Sequence, residues 1–133
     1  MNKRIGIFGW GVVAPRSPNI EIFEENLKRA TRWLEPFDGF GPSNFLVGRP
    51  DFEFETYKPW IEARFEPRRY SQLNGKMGNT VKYAIGAFIQ ALGQNPGIKR
   101  LVADETRPIE GDVAGKINMG VGGINACTIC RRW

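Results

Sequence analysis

The chain has no histidine among its 133 residues. Without an imidazole, neither a Ser/His nor a Cys/His catalytic pair can be assembled from this chain alone. Cysteine is scarce too. Two residues, Cys127 and Cys130, are too few for a disulfide framework, and a reducing, cytoplasmic setting is the default expectation. No apolar run approaches the roughly 18 residues of a membrane span. The opening Met-Asn-Lys-Arg is followed by no long apolar stretch and no small-residue cleavage site. Neither a signal peptide nor a membrane partner is therefore expected. What remains is ordinary for a folded domain: 41% hydrophobic and 25% charged residues, too apolar for a disordered chain. That length suffices for one domain with a modest core.

The net charge is +5. The basic residues are scattered, with local groups at Lys28, Arg29 and Arg32, at Arg64, Arg68 and Arg69, and at Arg131 and Arg132. Glutamates sit between or beside the first two groups, the pattern of a mixed surface rather than of a nucleic-acid footprint. An acidic carrier protein would suit the same charge.

Ile5, Ile7 and Phe8 form a short apolar run broken by Gly6, bounded by Lys3 and Arg4 on one side and Gly9 on the other. This predicts a buried strand, followed by a glycine-rich turn and a proline stop. Gly9-Trp10-Gly11-Val12-Val13-Ala14 has the G-x-G-x-x-[GA] spacing of a dinucleotide fingerprint. That fingerprint needs a helix that opens inside the turn, and Pro15 and Pro18 oppose one. A helix is expected after Asn19 as N-cap, with Ile20, Phe23, Leu27 and Ala30 on one stripe. Glu21, Glu24 and Glu25 lie early in it, and Lys28, Arg29 and Arg32 late, which complements the helix dipole.

From Leu34 to Asp51, prolines and glycines punctuate an irregular segment anchored by Phe37, Phe40 and Phe45, which reads as an ordered loop. Phe52, Phe54, Tyr57, Trp60 and Phe65 follow, interleaved with charge. They suit packing against a core edge better than base stacking. Met77, Val81, Ala84, Ile85, Phe88, Ile89 and Leu92 then recur at helical spacing, with Gly93, Asn95, Pro96 and Gly97 as terminators. Ala87 and Ala91 beside that stripe would let the helix lie close against a sheet.

Three stretches together resemble the β-ketoacyl synthases, condensing enzymes of the thiolase-like fold. Ile7-Phe8-Gly9-Trp10-Gly11-Val12-Val13-Ala14-Pro15 is similar to their opening V-I-T-G-x-G-V-V-S-P strand and turn, with Ala14 where serine or threonine is frequent. Phe23-Glu24-Glu25-Asn26-Leu27 is similar to their F-W-E-N-L helix. Arg68-Arg69, followed by Lys82-Tyr83-Ala84 through Ala91-Leu92, looks like their arginine stretch and Q-Y-A-x-x-A-x-x-E-A-L helix. The resemblance spans about residues 4–98. It implies an α/β architecture: a partial thiolase-like N-terminal segment of strand, helix, irregular aromatic-rich region and long helix, then a divergent tail over 99–133. It also implies decarboxylative Claisen condensation in fatty-acid or polyketide synthesis, acyl carrier protein as partner, and a homo- or hetero-oligomer. No cofactor or metal is implied.

The family's chemistry uses a cysteine at a strand-to-helix elbow, with histidines or a histidine and an asparagine further on. None of these transfers, so no catalytic, cofactor-binding or metal residue is assigned. Asn125-Ala126-Cys127-Thr128 echoes the elbow, but it follows the Met77 helix too soon and precedes no helical pattern. Cys127 and Cys130 form one C-x-x-C, half of a zinc set, which could close only between two chains. Two buried thiols without a role are the simplest reading. The expected identity is thus an N-terminal fragment of a condensing enzyme, inactive alone, from a truncated or frame-disrupted gene. The alternatives are a carrier- or subunit-binding module and a small basic nucleic-acid binder. The first strand has only weak partners on offer, at Leu101 to Ala103 or Ile117 to Val121. A poorly cooperative or oligomer-dependent fold is expected on that ground.

Overall fold

The computed structural model describes residues 5–39, 41, 45–94, 113–119 and 125–132. Its first strand, β1 (Ile5–Val13), does not stop at the glycines, and Ile7, expected to be buried in it, is 74% exposed. Both Gly9 and Gly11 lie inside the strand, which shifts register once between Ile7 and Gly9. The expected glycine-rich turn is therefore displaced: the chain reverses at 14–17, where Ala14 and Ser17 exchange two backbone hydrogen bonds of 2.9 Å. Pro15 presets the bend, and Arg16 takes the left-handed conformation at φ 53. What glycine supplies at position 11 is room. A Cβ there would run into the Ala87 carbonyl of a helix packed on the strand.

That helix is α4 (Asn79–Gly93), the longest in the chain, and Ala87 and Ala91 are its fully buried contact with the sheet. They form one core cluster with Val13 and Cys127. On the opposite face of β1, Val12 and Ala14 meet Ile20 and Phe23 of α1 (Ile20–Lys28). Alternation along the strand thus gives β1 a helix on each face. Asn19 caps α1 as expected, its side chain accepting from the Ile22 amide at 2.9 Å. The apolar stripe is shorter than expected, because the helix ends at Lys28: Leu27 is exposed, and Ala30 lies beyond the end at φ 50.

After α1, β2 (Glu35–Pro36) and β3 (Leu46–Val47) pair briefly. A 3-10 turn over Phe54–Tyr57, α2 (Lys58–Glu62) and α3 (Arg68–Lys76) follow. These carry the aromatic-rich region onto the other side of α4, as expected. Phe54, Ile61, Tyr70 and Ile89 form a second cluster, with Phe52, Tyr57 and Trp60 packed against it. Phe54 stacks on Tyr70 at 5.5 Å between centroids, and Phe52 meets the ring of Tyr83 edge-on at 5.1 Å. Met77, expected to open the long helix, instead caps the end of α3, and both it and Val81 are exposed.

The partner of β1 is β5 (Asn125–Arg132), antiparallel along its whole length. β4 (Val113–Met119) pairs with the far side of β5, giving the order β1-β5-β4. Ile117, offered by the sequence as a partner of β1, is thus one strand removed. Residues 101–103, the terminators Asn95 to Gly97, the 98/99 boundary and the anchor Phe40 lie outside the described residues. The ground for expecting an unpaired first strand is removed. The architecture is mixed α/β, with four helices and two small antiparallel sheets among the described residues. No helix among them is long and apolar enough to cross a membrane.

Two glycines should respond oppositely to alanine. Gly11→Ala drives a Cβ into backbone that cannot yield, at a cost near the top of the ~1–3 kcal/mol of overpacking. Gly75 in α3 has open space around it, so Gly75→Ala should stabilise by about 0.5–1 kcal/mol. Urea midpoints at constant m-value check both.

Candidate functional site

The strongest concentration of convergent polar groups lies where α4 meets the edge of β1 that faces away from β5. Gln94 accepts from the Trp10 amide at 3.2 Å and donates to the Trp10 carbonyl at 2.6 Å, as a neighbouring strand would. One helical turn earlier, Gln90 accepts from the Val12 amide at 3.2 Å. Its Nε2 donates to the Pro18 carbonyl at 3.2 Å and to the Tyr57 hydroxyl at 2.8 Å. One half-buried side chain therefore joins β1, the entry to α1, α4 and the aromatic segment. The i, i+4 spacing of 90 and 94 places both amides on one face of the helix.

Tyr57 belongs to the wall of a small open cleft of about 160 Å³, lined also by Pro18, Asn19, Asp51, Phe52, Glu53 and Thr56. Burial pushes the Tyr57 phenol up from its ordinary value, against the opposing bond from Gln90, with a smaller upward push from Glu21. The phenol stays neutral at physiological pH, its oxygen accepting from Gln90 and its own proton available to a ligand. Asp51 and Glu53 add two exposed carboxylates. This cleft can hold a small polar group by hydrogen bonds. No group of three or more metal-ligating side chains occurs among the described residues.

Cys127 is not poised for chemistry. It stands opposite Gly11 and Ile117 in the middle strand, fully buried, and burial pushes its thiol up to about 11. A buried thiol that holds its proton is a poor nucleophile and a poor metal ligand. Cys130 lies three positions along the same strand, opposite Ile7 and Ala114. The G-x-G-x-x-[GA] match forms strand rather than a phosphate turn, and α1 begins only at Ile20, six residues after Ala14.

Among the described residues most basic side chains are exposed, Lys58 and Lys82 partly so. The Arg64 guanidinium lies 4.2 Å from the Trp60 ring centroid and donates to the Trp60 carbonyl at 3.3 Å. Lys82 donates to Asn74 at 3.0 Å. Arg68 and Arg69 are exposed in the first turn of α3, where they add to the positive end of the dipole instead of offsetting it. Gln90 and Gln94 went unnoticed in the sequence, since a glutamine in a helical pattern carries no mark of what it bonds. Their spacing opposite a Gly-x-Gly strand is the one signal available. No family model, curated protein or solved structure matches the chain.

Gln90→Leu leaves the Pro18 carbonyl and Val12 amide without their partner, and should cost about 1–3 kcal/mol in urea unfolding. The exposed Gln94→Ala should cost about 1 kcal/mol or less. The Cys127 thiol has its own signature. Its folded pKa lies above the thiol's ordinary value of about 9, so the folded state holds its proton more tightly. That contribution to stability is intact below pH 9 and is lost as pH rises from about 9 to about 11. Iodoacetamide at pH 8 should modify Cys127 slowly in the native chain and readily in urea, which peptide mapping would resolve.

Proposed function

We propose that the chain is the N-terminal part of a β-ketoacyl-synthase-like condensing unit, and that it supplies structure and partner recognition rather than catalysis. The observation that carries this reading is the convergence of the three family-like stretches. Phe23 of the F-E-E-N-L stretch packs edge-on against Trp10 of the strand, 6.4 Å between centroids. Asn26 of the same stretch donates to the Arg16 carbonyl and the Ser17 hydroxyl, both at 3.0 Å, holding the turn that follows Val-Val-Ala-Pro. Gly11 of the strand abuts Ala87 and Gln90 of the long helix. Motifs that are distant in sequence thus pack together through Trp10, Gly11, Phe23, Asn26 and Ala87.

By resemblance, the family joins acyl chains by decarboxylative Claisen condensation on a carrier protein. With no histidine and with Cys127 protonated in the core, this chain does not perform that step itself. The exposed arginines opening α3 favour a role in holding an acidic carrier. A titration with holo-acyl carrier protein tests this. Saturable binding is expected that weakens as salt rises and on Arg68→Glu with Arg69→Glu, with no acyl mass added to Cys127 from acyl carrier. An acylated Cys127 would overturn the non-catalytic role. Binding to single-stranded RNA with a steep salt slope, and none to carrier, would replace the whole reading.

A further inference from the structure

Outside the region just described, the turn that closes β1 gathers three arginines from distant parts of the chain. The Arg16 amide donates to the Arg49 carbonyl at 2.9 Å, and its guanidinium reaches the Arg32 carbonyl at 3.5 Å. All three arginines are exposed. Among the described residues, Glu35 is the one carboxylate ion-paired with them, 3.5 Å from the Arg16 guanidinium, so Arg32 and Arg49 each carry a positive charge that no described carboxylate pairs.

The platform is held firmly. Asn26 fixes the Arg16 carbonyl and the fully buried Ser17. The chain at Gly48 presses on the Pro15 ring so closely that a Cβ would collide with it. Arg49 is therefore held beside the turn. Arg16 itself sits at φ 53, where glycine or asparagine is ordinarily preferred and a long side chain is strained. A non-glycine residue kept at such a position is a pointer to use of its side chain. Both contacts of the Arg16 guanidinium are long, and most of its five N–H donors remain available.

We propose that Arg16, Arg32 and Arg49 form a binding site for a phosphate-type dianion, with Glu35 holding the Arg16 guanidinium in place until the anion arrives. Guanidinium forks match phosphate oxygens in pairs, and a dianion balances the local charge. This site is independent of the carrier-binding surface on α3.

The test is an amide-resolved NMR titration of the full chain with inorganic phosphate at fixed ionic strength, then with glycerol 3-phosphate. Saturable shifts are expected at Arg16, Ser17, Arg32 and Arg49, weakened at least about fivefold in both Arg16→Gly and Arg49→Gln. Arg16→Gly suits the left-handed turn, so its loss of binding would not be a loss of fold. Lys76→Gln, an exposed change given no binding role, should leave the titration unchanged. A stronger response to glycerol 3-phosphate assigns the site to phosphate monoesters, and an equal or stronger one to phosphate assigns it to the free ion. No saturable shift, or equal affinity in Arg16→Gly and Arg49→Gln, would overturn the proposal.

Discussion

The approach of Gly11 to the Ala87 carbonyl is the constraint on which the rest of this structure depends. It sets α4 against β1 at a distance no side chain at position 11 would allow. At that distance Ala87 and Ala91 are buried against Val13 and Cys127. Gln90 and Gln94 then reach the backbone of Val12 and Trp10. A bulkier strand would push α4 outward and break those bonds together. The edge of β1 that β5 leaves open would then expose unpaired donors and acceptors.

That arrangement also decides where chemistry can occur. Among the described residues, the interior is built from small apolar residues between α4 and the sheet, an aromatic and aliphatic cluster on the other side of α4, one buried thiol and the phenols of Tyr57 and Tyr70. Positive charge lies outside, at the turn around Arg16 and at the start of α3.

Several features were legible in the sequence because they follow from local physics. The N-cap at Asn19 needs only a short side-chain acceptor before a helical stripe. The long helix and its Ala87/Ala91 face follow from periodicity. The glycines at 9 and 11 misled, because glycine marks a turn and a close approach equally well, and the choice depends on a helix some 75 residues later. Met77 misled for a related reason: a run of correct spacing crossed the break between α3 and α4 at Gly78. β5 was hidden because a short glycine-flanked apolar segment names no partner, and pairing over more than a hundred residues leaves no local trace. The polar seam at Gln90 and Gln94 was equally silent, since its partners are backbone groups.

The central claim is that β1 is closed on one edge by β5 and on the other by the glutamines of α4. Since Trp10 and Val12 turn their amides toward the glutamines, their pairs with Thr128 and Ala126 are the close, non-hydrogen-bonded ones. Proton NMR should therefore show strong Hα–Hα contacts between Trp10 and Thr128 and between Val12 and Ala126. Absence of both in the folded chain would contradict the strand order and the role given to α4.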